Sequence, residues 1–385
     1  MSPRPRNAPA VLPAGLFEDG DFLGSVEPTD LVYWLLNVGD GDLQLILLPE
    51  RESDHSRRAI VVDVGRSGKL PPLLDSLKER DFLKVPEDGQ LFPLVIGTHP
   101  HDDHISGMPE FLQLWGHAVR EYWEPGYWHT SLAYQNTMHL LEDADPHIQH
   151  TQPTSGTTRF IGRVKIIVLS PAVGLRRRFD TYGVDLNDAS ISLRLEFPAS
   201  RVEKRDRDRA YVGLRGKTRT LLLGADSLMD SWANVLVDFP VLHPQNAPTA
   251  EAIGKAQGPD ALDAEIFKVP HHASKHGLNL GLVEAVSPRI SLISSVGSGG
   301  KYNFPHLVTL EALREGIERT ASSGEAHKPD WELKIHYTAE EDPDGPLGSM
   351  ALVIPPKGRE VGLWRFRDKP DEPIDLAKAR RFAPK

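Results

Sequence analysis

Twice along this chain, strand-like segments come first as hairpins and then alternate with helices, and that order restricts the folds open to it. From Asp30, the run LVYWLLNV, a Gly/Asp turn over Gly39 to Asp42 and the run LQLILL read as a hairpin. AIVVDVG (59–65) follows as a third strand, and a helix is predicted around Leu70 to Arg80. LFPLVIGTHP (91–100) is a buried strand entering a histidine-rich loop, after which Met108, Phe111, Leu112 and Trp115 fall at helical spacing. The second pass opens with the strands VKIIVLSP (164–171), ASISLRLEF (189–197), AYVGLRG and TRTLLLGAD (210–226). It continues with a helix from Ser227, the strand EIFKVPHH (265–272), a helix near Gly277 to Val286, the strand RISLISSV (289–296) and a helix over about His306 to Arg319. A doubly wound parallel sheet has no leading hairpins. The expected fold is therefore α/β, a sandwich of two mixed sheets with outer helices in αββα order. The expected organisation is an extended arm over 1–30 and one main domain over 31–340 with an insertion at about 117–160. The strands and basic tail of 341–385 are expected to belong to that same domain.

Composition removes several classes of chemistry. With no cysteine among 385 residues, disulfide frameworks, thiolate zinc sites, iron–sulfur clusters and thiol nucleophiles are ruled out, so any metal must sit on His, Asp and Glu. No apolar run approaches the length of a membrane span, and the first thirty residues lack the apolar stretch of a secretory signal. A cytoplasmic protein with no membrane partner is expected. The formal net charge of −10 argues against a nucleic-acid coat protein, while leaving room for a local basic groove.

The strongest local signal is GTHPHDDHISG (97–107), which sets His99, His101, Asp103 and His104 directly after an apolar strand. A loop leaving a strand can aim such side chains at one point, and imidazole with carboxylate suits Zn²⁺ or Mn²⁺. Two neighbouring ions can divide the set, His99 and His101 on one, Asp103 and His104 on the other. The bland reading is a surface histidine cluster.

The loop resembles the H-x-H-x-D-H signature of the metallo-β-lactamase superfamily, which these four residues match without a gap. VVDVG (61–65) is similar to that family's early Asp-Gly turn, which implies that Asp63 braces the metal loop from behind. LLLGAD (221–226) is similar to the strand that ends in the aspartate bridging both metals, here Asp226. VPHHASKHG (269–277) resembles the HHGS element of one branch, that of the hydrolase domain of ComEC-type DNA-uptake proteins and the teichoic-acid phosphorylcholine esterases. NVGDGD (37–42), NDASISLRLEF (187–197) and NFPH (303–306) resemble further motifs of that branch, and the resemblance runs from about residue 31 to about 320. There are two departures. No G-H-T-like turn supplies a further histidine between Gly107 and Asp226, and Ala273 stands where the branch usually has glycine.

The resemblance implies two divalent ions, with Zn²⁺ the first choice and Mn²⁺ the second. Asp226 would bridge them, its plain alternative being a helix N-cap. His271 is assigned to the metal with Asp103 and His104, and His272 to the developing oxyanion or to protonation of the leaving group, although the two roles could be exchanged. Asp103 and His272 are the catalytic candidates. Ser274, Asn303 and His306 could contact a phosphate or merely cap loops. Asn187 and Asp188 are the nearest substitute for the missing histidine, with Asp188 completing the first site or simply turning the chain. His117, His129, His139, His147 and His150 all fall in the insertion.

Two ions sharing Asp226 would generate a hydroxide near neutral pH, which suits a phosphodiester; no G-x-S-x-G elbow offers a serine route. Three classes of function are open. The first is a phosphodiesterase or nuclease acting on DNA or RNA, with Arg176-Arg177-Arg178 and the tip Arg201 to Arg209 either tracking a backbone or lying in solvent. The second is hydrolysis of a small ester, lactone or cyclic nucleotide, with Trp115, Tyr122, Trp123, Tyr127, Trp128 and Tyr134 lining a pocket or else packing in a core. The third is a degenerate, non-catalytic interaction module.

Overall fold

The computed structural model describes residues 11–176, 186–199, 203–205, 209–211, 218–239, 261–297, 300–321, 334–356 and 358–384. Among them two large sheets form. The first runs, in spatial order, Phe17–Asp19, Arg380–Phe382, Gly362–Arg365, Met350–Ile354, Leu31–Leu35, Leu43–Leu47, Ala59–Val64, Leu94–Ile96, Glu121–Trp123 and Gln149–Thr151. The second runs Ile335–Tyr337, Ile290–Ile293, Ile266–Lys268, Arg219–Leu223, Ser192–Phe197, Val164–Ser170 and Thr158–Ile161.

Both sheets obey one plan. Pairing is antiparallel through the hairpins as far as Ala59–Val64 in the first and Arg219–Leu223 in the second. From there each sheet turns parallel, since helices carry the chain back to start every new strand at the same edge. Parallel neighbours end side by side, so the loops after Ala59–Val64 and Leu94–Ile96 emerge together, as do those after Arg219–Leu223 and Ile266–Lys268. Loops at the carboxyl ends of strands are where such sheets assemble sites.

Strand alternation sorts the side chains into layers. From Leu31–Leu35, Leu31, Tyr33 and Leu35 enter the core between the sheets. There they join Ile60, Val62, Leu94 and Ile96, and this face meets Ile166, Val168, Leu193, Leu195, Leu221 and Ile266 of the second sheet. Val32 and Trp34, on the opposite face of the same strand, join an outer layer with Leu73, Leu74, Leu77, Met108, Phe111 and Leu112 from the helices Leu70–Glu79 and Met108–Trp115. A third layer packs Trp232, Val235, Leu282, Val283 and Leu313 from the helices Met229–Asp238, Leu280–Val286 and Leu307–Ala321 on the outer face of the second sheet. Three apolar layers between four structural layers make the expected αββα sandwich.

The segment 117–160, expected as an insertion, supplies the strands Glu121–Trp123 and Gln149–Thr151 at the edge of the first sheet. Strands of three residues are too short to show a period in the sequence. Of the six aromatics named above, Trp115, Tyr122, Trp123, Tyr127 and Tyr134 are buried as core residues and Trp128 is exposed, as is Phe160 at the segment's end. The strands Met350–Ile354 and Gly362–Arg365 continue the first sheet beside Leu31–Leu35, and Phe366 stacks on Trp34 with ring centroids 4.4 Å apart. Within the N-terminal thirty residues, Phe17–Asp19 pairs with Arg380–Phe382, and Phe22 is buried against Trp34 and Trp364.

Arg177, Arg178 and most of the tip 201–209 lie outside the described residues; the tip's short ladder, Glu203–Arg205 with Arg209–Tyr211, is antiparallel. Among the described residues no helix is long and apolar enough to cross a membrane.

Candidate metal centre

The carboxyl ends of the two sheets bring the histidine loop, Asp226 and the His271–His272 pair to one point. Asp226 is 2% exposed and stands among four imidazoles. Its Oδ1 lies 3.2 Å from His104 Nε2 and 3.6 Å from His272 Nε2, while its Oδ2 lies 3.8 Å from His99 Nε2 and 3.7 Å from His271 Nε2. Asp103 joins the first group, its Oδ2 being 3.8 Å from His272 Nε2. His101 joins the second, its Nδ1 being 3.0 Å from His99 Nε2. Ligand atoms of Asp103, His104, Asp226 and His272 all fall within 4.8 Å of one another.

This grouping differs from the sequence expectation for the histidine pair. His272, not His271, stands with Asp103 and His104, and His271 is on the side of His99 and His101. The cause is local backbone: His271, His272 and Ala273 have φ of 47°, 51° and 62°, three successive left-handed residues. Each such residue costs about 1–2 kcal/mol outside glycine. The conformation is pinned by His271 N–H donating to Ala225 O (2.8 Å), Ser274 N–H to His271 O (2.7 Å) and His306 N–H to Ala273 O (3.0 Å). Ala273 thus occupies a position where glycine would be unstrained.

Partners behind the ligands fix the tautomers. Asp63 accepts from His104 Nδ1 (2.7 Å), from the Thr98 N–H (2.7 Å) and from the Thr98 hydroxyl (2.8 Å). His272 Nδ1 donates to Ser294 O at 2.9 Å. Both rings therefore turn Nε2 toward Asp226, the orientation that such partners give to metal-binding histidines. Asp63→Asn, which withdraws a charge-assisted bond from His104, is expected to lower divalent-ion affinity by about 10–100-fold, read by competition titration with a chelator.

Electrostatics follow the same division. Burial alone would raise the Asp226 pKa, but the charges of His104 and His272 hold its carboxyl well below the usual range. Burial opposes charge on His104 and His272 as well, and the nearby Asp226 carboxylate overrides it and raises both. His99 and His271 are lowered, chiefly by burial. For Asp103, burial is outweighed by the nearby imidazoles of His272 and His104, so its carboxyl is held low, which suits a ligand better than a proton acceptor.

Do these residues fit metal ions? Among the described residues, the buried polar atoms lacking hydrogen-bond partners include His104 Nε2, Asp226 Oδ1 and His272 Nε2, all aimed at one point. Unsatisfied buried groups are costly, and a cation placed among them satisfies all three. The donor set fits. His272→Ala is accordingly expected to lower metal content as well as turnover, as elemental analysis of the purified variant would read; unchanged metal content would return His272 to a purely catalytic role.

Asp188 is buried in the turn Leu186–Ala189, where its Oδ1 accepts from the Ser231 N–H (3.3 Å) and hydroxyl (3.0 Å). It anchors the helix Met229–Asp238, and the side of the centre it was expected to complete is faced by His271 instead. Asn187 is buried in the same turn. Ser274 is buried and its hydroxyl accepts from His276 N–H at 3.4 Å. His306 Nδ1 accepts from Lys275 N–H at 2.9 Å, which fastens the loop carrying Asn303 and Phe304. Asn303 holds a left-handed turn at φ 54°. Phe304 packs against His271 and His272, with centroids 5.6 and 5.7 Å away.

Three further residues at the centre have no site role in the sequence reading. Lys268 and Asp42 form an ion pair with both side chains fully buried, linking the two sheets beneath the centre. Asp42 Oδ1 is 3.9 Å from His272 Nδ1. A lone lysine inside EIFKVPHH is the available signal, because a buried lysine requires a partner. His129, from the segment 117–160, brings its ring within 5.7 Å of the His101 ring, and its Nδ1 accepts from Ser131 N–H. Glycines at 41 and 65 permit the close packing here: a Cβ on either would lie 2.5 or 2.0 Å from Asp103 O.

No model of a known family matches the chain, and no curated protein matches it. Solved structures do. The metallo-β-lactamase fold protein YhfI from Bacillus subtilis is similar at 13% identity over 76% of this chain and 93% of that one, with a TM-score of 0.37. A long-form RNase Z from yeast is similar at 10% identity over 70% of this chain and 38% of that one, with a TM-score of 0.34. The Rm3 metallo-β-lactamase is similar at 13% identity over 76% and 90%, with a TM-score of 0.31. The two mixed sheets and outer helices of this chain are consistent with the metallo-β-lactamase fold.

Proposed function

We propose that this chain is a metal-dependent hydrolase of phosphodiesters, working with two divalent ions, Zn²⁺ before Mn²⁺. The observation that carries the reading is that the two oxygens of Asp226 face separate donor sets, Asp103, His104 and His272 on one side and His99, His101 and His271 on the other. Ions held by these donors would activate water near neutral pH and offset charge building on the oxygens of a phosphodiester.

The chain's own part is to hold and enclose. Asp63 and Ser294 fix the rings of His104 and His272, and Phe304 excludes water from the wall beside His271 and His272. Asp103 and His271, with side chains 38% and 18% exposed, form the open side where substrate enters. The resemblance to the ComEC-type and phosphorylcholine esterase branch supports a phosphodiester as substrate, and DNA or RNA belongs to the same proposal. The test is elemental analysis followed by hydrolysis of bis-p-nitrophenyl phosphate, single-stranded DNA, duplex DNA and RNA before and after chelation. Chelator-sensitive phosphodiester cleavage supports the reading. Failure to take up metal, or cleavage of carboxylic esters alone, overturns it.

A further inference from the structure

Asp103 also lines a groove of about 560 Å³ that no other residue of the centre borders. Its walls come from both halves of the sandwich: Arg66 follows the strand Ala59–Val64, and Lys301 follows the strand Ile290–Ile293. Both cations are exposed, and neither takes part in an ion pair among the described residues. The Lys301 ammonium rests 4.7 Å over the Tyr302 ring. Of the acids present, Asp103 belongs to the centre and Asp40 is tied into the floor, its Oδ1 accepting the Val296 N–H at 3.0 Å; Asp102 stays at the rim.

The floor is closely built. A Cβ on Gly300 would lie 2.1 Å from a Val296 methyl and 2.6 Å from Asp40 Oδ2, and Gly39 has a φ of 86°. Val38, Val296 and Pro370 give it an apolar surface. A guanidinium and an ammonium over a floor of Val38, Val296, Pro370 and the hydrogen-bonded Asp40, next to a centre proposed to take a phosphodiester, match a substrate with a further anionic group joined to its scissile one. Arginine holds phosphate through paired hydrogen bonds, and lysine acts as a point charge.

We propose that this groove binds a second phosphate of the substrate, so that the enzyme prefers diesters flanked by another phosphate, as in an oligonucleotide, over isolated diesters. This rests on the phosphodiesterase reading. Contacts of this kind position a chain without reading its sequence.

The test compares metal-loaded wild type, Arg66→Ala, Lys301→Ala and the double variant on a short oligothymidylate and on bis-p-nitrophenyl phosphate. The ratio of kcat/KM between the two substrates is expected to fall about 10-fold per cation removed, through KM. The dependence of log KM on log salt is expected to lose a slope of about 0.7 per cation. A ratio and salt slope that stay at the wild-type values overturn the proposal, as does an equal loss on both substrates. If wild type cleaves neither substrate, the phosphodiesterase reading fails by itself. Anisotropy with labelled oligothymidylate then still reads the groove, and equal affinity for wild type and the double variant overturns it.

Discussion

Asp226→Ala is expected to abolish binding of both ions together and to lower activity by more than about 100-fold. Losing a partner behind a ligand already costs about 10–100-fold in affinity or activity, and Asp226 is itself the proposed ligand on both sides. Its two oxygens face four imidazole nitrogens between 3.2 and 3.8 Å away, so no neighbouring group can replace it without moving a strand end. Elemental analysis and bis-p-nitrophenyl phosphate hydrolysis would read the outcome. A variant that kept its metal and turnover would reduce Asp226 to a turn residue at the end of Arg219–Leu223.

Lys268→Met is expected to destabilise the fold by about 3–5 kcal/mol, the range for breaking a buried ion pair from one side. The substitution strands the Asp42 carboxylate, whose Oδ1 already lacks a hydrogen-bond partner, in the same dry region as Asp63 and His104. Asp42→Asn with Lys268→Met removes both charges and is expected to recover most of the loss, because the desolvation cost vanishes with the pair. Urea unfolding midpoints of the two single variants and the double variant would measure this. A loss below about 1 kcal/mol for Lys268→Met would mean that the pair behaves as a surface ion pair.

The parts of the molecule that are legible in the sequence are those set by local pattern. Hairpins such as Leu31–Leu35 with Leu43–Leu47 show their turn glycines, and His99, His101, Asp103 and His104 stand close together in one loop. What stays hidden depends on backbone geometry or on distant pairing. Which oxygen of Asp226 each of His271 and His272 faces turns on three left-handed residues, which no periodicity displays. Asp42 reads as a turn residue until Lys268, 226 positions away, is seen to pair with it. Glu121–Trp123 and Gln149–Thr151 are too short to announce themselves as strands, so a sheet edge looks like an insertion.

Each sheet contributes about half of the donor set, His99 to His104 from the first and Asp226 with His271 and His272 from the second. The centre therefore exists only while the two sheets are docked, and ion occupancy becomes a gauge of that docking. Binding to the native state alone adds about 2.7 kcal/mol of stability at a free ion concentration 100 times Kd. If the centre holds ions as proposed, a cell short of them would thus hold a chain that is less firmly assembled, as well as one lacking its reagent.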